Sequence, residues 1–172
     1  MTNHENNSIL IIGGEGYIGN VLSQTLLSHG YNVVSYDNML YNNQLCVLNK
    51  IYNENYRFVF GDMLDSETLK PLIEKAVAVV LLAGLVGDPI TKKYPEESAL
   101  INDKGTKNVI DLCAKENTER FIFVSTCSNY GLIKSDKLAD EEHELNPFSL
   151  YAKSKVNAEK YILSLKGNTV LL

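Results

Sequence analysis

The stretch Ile9-Leu10-Ile11-Ile12-Gly13-Gly14-Glu15-Gly16-Tyr17-Ile18-Gly19 decides how this chain is read. Four apolar, β-favouring residues run without a polar break into a glycine cluster. The next segment, Tyr17 to Ser28, carries Ile18, Val21, Leu22, Thr25 and Leu26 on one face and stops at Gly30. A strand, a glycine turn and a helix in that order can do more than reverse the chain. Gly13 and Gly16 permit a tight turn and close backbone approach to a pyrophosphate, Gly19 permits tight helix–strand packing, and the helix N-terminus offers N–H donors. A dinucleotide is the natural ligand, and a plain strand–helix turn is the alternative. Glu15 is expected to aim its carboxylate at solvent, since facing a phosphate it would be repelled.

Outward from this turn, apolar runs at 9–12, 32–36, 57–60, 77–82, 120–124 and 169–172 alternate with helical segments at 17–28, 66–75, 96–116 and 149–165. Near-continuous runs such as Val77-Ala78-Val79-Val80-Leu81-Leu82 suit strands buried on both faces, as in a parallel sheet covered by helices. The alternation with right-handed crossovers predicts a Rossmann-type doubly wound α/β sheet, strand order 3-2-1-4-5-6, in three α/β/α layers. Residues 1–172 are expected to form one NAD(P)-binding domain. A strand at 169–172 with nothing after it would leave an apolar sheet edge, which points to a fragment lacking a C-terminal substrate domain or to a covering partner.

Composition narrows the function. At 172 residues, 45% hydrophobic and 22% charged, the chain has the make-up of a globular domain. Its formal charge of −5 and the absence of a Lys/Arg run longer than Lys92-Lys93 argue against a nucleic-acid backbone as partner. The apolar run 77–86 is about half the length that a membrane-crossing helix needs. The polar start, Met1 to Ser8, lacks a signal-peptide pattern, which makes the cytoplasm the expected location. Cys46, Cys113 and Cys127 form no CxxC pair, so neither a disulfide framework nor a metal site is expected.

Asp37 stands at the end of the second predicted strand, eighteen residues past Gly19. A carboxylate there can accept hydrogen bonds from both adenosine ribose hydroxyls and would repel a 2′-phosphate, which favours NAD over NADP; a cap or turn role is the alternative. Asp62 either reaches the adenine amino group or caps the next helix. Tyr151 and Lys155, four apart, share a helix face. A nearby ammonium would lower the phenol pKa toward neutrality and let Tyr151 exchange a proton beside a hydride transfer, although such spacing is common on plain helix surfaces. The strand at 120–124 ends in Ser125-Thr126-Cys127-Ser128, where ligands sit in such sheets. Thr126 is the hydroxyl chosen to bond the reacting substrate oxygen, with Ser125 and Ser128 as neighbours; a Ser/Thr turn is the alternative.

In this order the motifs resemble the extended short-chain dehydrogenase/reductases, the superfamily of nucleotide-sugar epimerases and dehydratases typified by UDP-glucose 4-epimerase. The resemblance covers residues 8–172. It rests on the glycine turn, Asp37-Asn38, Gly61-Asp62, Leu82-Ala83-Gly84-Leu85-Val86-Gly87, Asn102 with Gly105-Thr106 and Asn108-Val109, Ser125-Thr126, Tyr130-Gly131 and Tyr151 with Lys155. It implies Tyr151 as acid/base, Lys155 on the nicotinamide ribose and tuning Tyr151, and Thr126 on the substrate hydroxyl or keto oxygen. The cofactor-binding set it implies is Gly13, Gly16, Tyr17, Ile18, Gly19, Asp37, Asn38, Asp62, Met63, Leu82, Ala83, Gly84, Tyr151 and Lys155. Val86, Thr126, Cys127 and Ser128 would line the substrate, a nucleotide-sugar, and Asn102 would be structural or water-binding. The reaction implied is hydride transfer from a sugar to NAD, with the keto sugar then reduced from its other face or otherwise processed. NAD binding without turnover and NADP-dependent reduction are the alternatives. A homodimer through helices 96–116 and 149–165 is also implied. Cys127 and Ser128 stand where 4,6-dehydratases of this superfamily carry Asp and Glu, which favours epimerisation or reduction over dehydration. Leu81 stands where many relatives carry His.

Overall fold

The computed structural model describes residues 7–132 and 138–165. Five parallel strands, β1 (Ser8–Ile12), β2 (Asn32–Asp37), β3 (Tyr56–Phe60), β4 (Ala76–Leu81) and β5 (Phe121–Phe123), form one sheet in the order β3-β2-β1-β4-β5. That is the predicted order as far as the fifth strand; the sixth, at 169–172, lies outside the described residues. The helices are α1 (Tyr17–Ser28), α2 (Leu45–Leu48), α3 (Ser66–Lys75), α4 (Asp88–Lys93), α5 (Pro95–Ser98), α6 (Thr106–Lys115) and α7 (Leu150–Ser164).

Alternation along β1 shows why the sheet is covered on both faces. Leu10 and Ile12 enter a core with Leu69 and Ile73 of α3, Val109 and Ile110 of α6, and Ile162 of α7. Ile11 points the other way, onto Leu27 of α1 and Val47 of α2. All three β1 side chains are shut from solvent, and burial of each stabilises the fold by about 1.5–3 kcal/mol. The chain passes from β3, at one edge, to β4 on the far side of β1, so the strand order reverses between β1 and β4. A crevice opens at the carboxyl ends of the strands there, and ligands bind at such switch points.

Two differences from expectation matter for the site. The helix expected at 96–116 is an uneven rod: α5 passes through a π-helical segment, Ala99–Gly105, into α6. Its widened turn carries Asn102 and Gly105, both engaged with other elements, and π segments of this kind concentrate at functional sites. Residues 88–93, for which the sequence predicts no element, form α4, with Pro89 in its first turn where a missing N–H costs nothing. Among the described residues no helix is long and apolar enough to cross a membrane.

Candidate functional site

The turn after β1 is built around two glycines. Gly13 has φ +86°, and a Cβ there would lie 2.6 Å from the Ala83 backbone nitrogen. A Cβ on Gly19 would lie 2.5 Å from the Gly13 carbonyl oxygen, so α1 leaves the turn at a distance only hydrogen allows. Gly16 differs. A Cβ there would meet only the Gly13 carbonyl oxygen, at 3.4 Å, which leaves the backbone open to the crevice. Gly16 caps α1 without a side-chain hydrogen bond, and the first-turn N–H groups keep the partial positive charge of a helix start. An anionic diphosphate fits this cradle.

Asp37 ends β2 beside the turn. Its Oδ2 accepts the Glu15 N–H at 3.0 Å and its Oδ1 the Met39 N–H at 2.8 Å, which fixes the carboxylate with lone pairs left for a ligand. Asn38 donates to Asp62 at 3.0 Å. The helix cap offered as the alternative for Asp62 is made by Asp65, which accepts from the N–H groups of Glu67 and Thr68. Asp62 accepts from Leu64 N–H at 2.9 Å and lines the crevice.

Glu15 corrects an expectation. It does not point to solvent: it is 1% exposed, its Oε1 accepts from Ser35 and Tyr56, and its Oε2 lies 2.9 Å from the Lys50 ammonium. The side chain turns down between the turn and the sheet, away from the phosphate cradle, so repulsion is avoided by burial and pairing instead of by exposure.

Past β4, Leu82 and Ala83 both donate N–H to the Ile12 carbonyl, which holds this wall against the glycine turn. Asn102 pins the next residues: it accepts from Leu85 N–H at 2.8 Å and donates to Leu85 C=O at 2.9 Å, mimicking a strand partner. Met63 packs on Gly105, where a Cβ would come within 2.9 Å of its Cγ.

The far end of the crevice is made by β5 and α7. Ser149 accepts the Ala152 N–H at 3.1 Å and starts α7 so that Tyr151 falls in its first turn, with Lys155 one turn on. The Lys155 ammonium donates to the Val124 carbonyl at 2.8 Å and lies 5.8 Å from the Tyr151 ring centre. Burial pulls the Lys155 pKa down to about 8, against an opposing pull from the Glu159 carboxylate. The Tyr151 phenol moves opposite to expectation: burial, and then the neighbouring Cys127, raise its pKa. Lys155 directs its hydrogen bond to β5, and burial of the phenol sets the direction of the shift.

These elements enclose one crevice of about 740 Å³, a size typical of cofactor sites. Every residue of the expected cofactor set lines it, and so does Val86. Thr126, Cys127 and Ser128 lie outside its lining. Thr126 accepts the Ser128 N–H at 3.2 Å and starts the 3₁₀ turn Cys127–Tyr130, which is the Ser/Thr turn offered as its alternative. Ser125 does line the crevice, and donates to Glu159, which also accepts from Asn129 at 3.0 Å. Glu159 was missed because it reaches β5 only through the packing of α7.

Residues 9–169 match the family model described as the NAD dependent epimerase/dehydratase family. The chain belongs to this family. A UDP-glucose 4-epimerase of Yersinia enterocolitica is 33% identical over 161 residues, covering 90% of this chain and 47% of that protein. The dTDP-D-glucose 4,6-dehydratase of Homo sapiens is 30% identical over 161 residues, covering 91% of the chain and 46% of the relative. In structure, a UDP-glucose 4-epimerase from Brucella ovis in complex with NAD aligns with a TM-score of 0.81 at 28% identity, over 96% of this chain and 50% of that one. This member of the family thus spans about half the length of the relatives it matches.

Proposed function

We propose that this chain is the cofactor-binding and catalytic half of an NAD-dependent nucleotide-sugar epimerase or oxidoreductase of the cytoplasm. One observation carries the reading: the open Gly16 cradle, the Asp37 carboxylate and the Tyr151–Lys155 pair all line a single crevice at the sheet's switch point. Gly13 to Gly19 would hold the diphosphate, Asp37 the adenosine ribose, Asp62 the adenine amino group, and Lys155 the second ribose. The bound nicotinamide would supply hydride acceptance and return.

The chain's own residues would handle the proton and the orientation. Tyr151 gives or takes the proton of the reacting sugar hydroxyl. Burial raises its phenol pKa, so Tyr151 starts protonated, and Lys155, held 5.8 Å from its ring centre and charged below about pH 8, is placed to stabilise the phenolate that forms. Thr126 orients the substrate oxygen from the rim, where the turn 127–130 borders Tyr151. Two copies would pair through helices 96–116 and 149–165, on which Leu100, Leu150 and Leu163 are exposed.

The test is to add a UDP-hexose to the NAD-loaded protein and follow the fluorescence of reduced nicotinamide. Reduction by the wild type and its loss in Tyr151→Phe, with NAD still bound, is the expected result. Persistence in Tyr151→Phe would overturn the assignment of the acid/base. A second reading, NAD binding without turnover, is favoured by Thr126, Cys127 and Ser128 lying outside the crevice lining, and no reduction despite tight NAD binding would select it.

A further inference from the structure

We propose that Glu15, through its buried ion pair with Lys50, is a positioning residue that holds Asp37 and the segment 38–50 in place and thereby sets the preference of the crevice for an unphosphorylated adenosine ribose. This rests on the NAD reading above. Glu15, in the glycine turn, is 1% exposed and its partner Lys50, beyond α2, is 2% exposed. Two charges taken out of water cost free energy that their attraction seldom returns, and apolar residues of similar volume hold a fold as well or better. Fold stability alone therefore gives no reason for the pair to be there.

Its connections supply one. The Glu15 carboxylate is saturated by Ser35 of β2, Tyr56 of β3 and Lys50 beyond α2, at 2.6, 2.7 and 2.9 Å, and Lys50 also donates to Asn20 of α1 at 2.7 Å. Burial, and then the bond to Glu15, push the Tyr56 phenol far up, so it stays a donor to the carboxylate. The Glu15 backbone serves the site directly: its N–H orients Asp37 Oδ2, and its C=O accepts from Asn43. Leu40, Tyr41, Asn43 and Cys46, all in the segment closed by Lys50, line the crevice. A shift of Glu15 thus moves both the carboxylate that would receive the ribose hydroxyls and the wall beside it. Glu15, Asp37 and Lys50 together carry one net negative charge, which opposes a 2′-phosphate. Without the Glu15 charge, Lys50 is an unpaired ammonium behind the same wall.

Affinities for NAD and for NADP, measured with thermal unfolding on the wild type, Glu15→Gln and the Glu15→Gln/Lys50→Met double variant, test this. A merely structural role would weaken both ligands alike, so the ratio of the two affinities is the informative quantity. The expected result is a fall of at least about tenfold in NAD preference in Glu15→Gln, on the scale of one charge-assisted hydrogen bond. The double variant, free of any unpaired buried charge, folds and also loses preference. A ratio within about twofold of wild type in a cooperatively folded variant overturns the proposal, and so does failure of both variants to fold, which would make the pair a folding element. A wild type that does not select NAD fails the functional reading itself, before any variant is compared.

Discussion

The ammonium of Lys155 lies 5.8 Å from the centre of the Tyr151 ring, while its hydrogen bond goes to the Val124 carbonyl at the end of β5. The helix spacing therefore delivers the cation to the aromatic ring, and the sheet holds it there. Burial lowers the Lys155 pKa to about 8, so between about pH 8 and the unfolded value of 10.5 the folded chain binds fewer protons than the unfolded one. Stability from this group rises with pH across that window, and the penalty is fully present below it. Lys155→Met is predicted to be more stable than wild type at pH 7 by on the order of 2 kcal/mol, with the gap closing toward pH 10. Urea unfolding of both proteins at several pH values checks this. The difference between them cancels the contrary contributions of Tyr36 and Tyr56, whose phenols are raised. A gap that does not change with pH would show that the ammonium is not strained by burial.

Asp37→Ala removes a carboxylate fixed by two backbone N–H groups. NAD affinity is predicted to fall by roughly 10- to 100-fold, the range for hydrogen bonds to a charged group, with a much smaller loss for NADP. Equal losses by competition titration would remove Asp37 from the ribose.

Gly19→Ala places a methyl 2.5 Å from the Gly13 carbonyl oxygen, and neither backbone can yield without opening the turn. The variant is predicted to lose NAD binding and to unfold at a temperature several degrees lower, about what a 1–3 kcal/mol overpacking penalty produces. Wild-type binding would mean that the turn is not closed around this contact.

Asn102→Leu leaves the Leu85 N–H and C=O without the side-chain partner they now share. A stability loss of about 2–4 kcal/mol is predicted, read by urea midpoint, together with weaker NAD binding, because residues 82–86 form one wall of the crevice.

The parts that could be read from the sequence are those whose cause is local. The β1 run, the glycine turn and the period of α1 lie within twenty-one residues, Ser8 to Ser28, and they build one wall of the crevice. Tyr151 and Lys155 share a face because helix geometry makes i and i+4 neighbours. What could not be read depends on distant partners. The direction of Glu15 is decided by Ser35, Lys50 and Tyr56, between 20 and 41 residues away. The π segment at Ala99–Gly105 accompanies the grip of Asn102 on Leu85 and the fit of Gly105 under Met63. The rise of the Tyr151 pKa follows from burial, which spacing cannot report. At β5, the sequence named Thr126 with Ser125 and Ser128 as neighbours; that Ser125 is the one of the three lining the crevice, held by Glu159 of α7, depends on how that helix packs.

Calorimetric titration of the purified 172-residue chain with NAD and, separately, with NADP reads the cofactor site itself. One NAD site per chain and at least about tenfold weaker NADP are expected. A chain shown by circular dichroism to be folded that binds neither, or binds NADP as tightly as NAD, would contradict the NAD assignment.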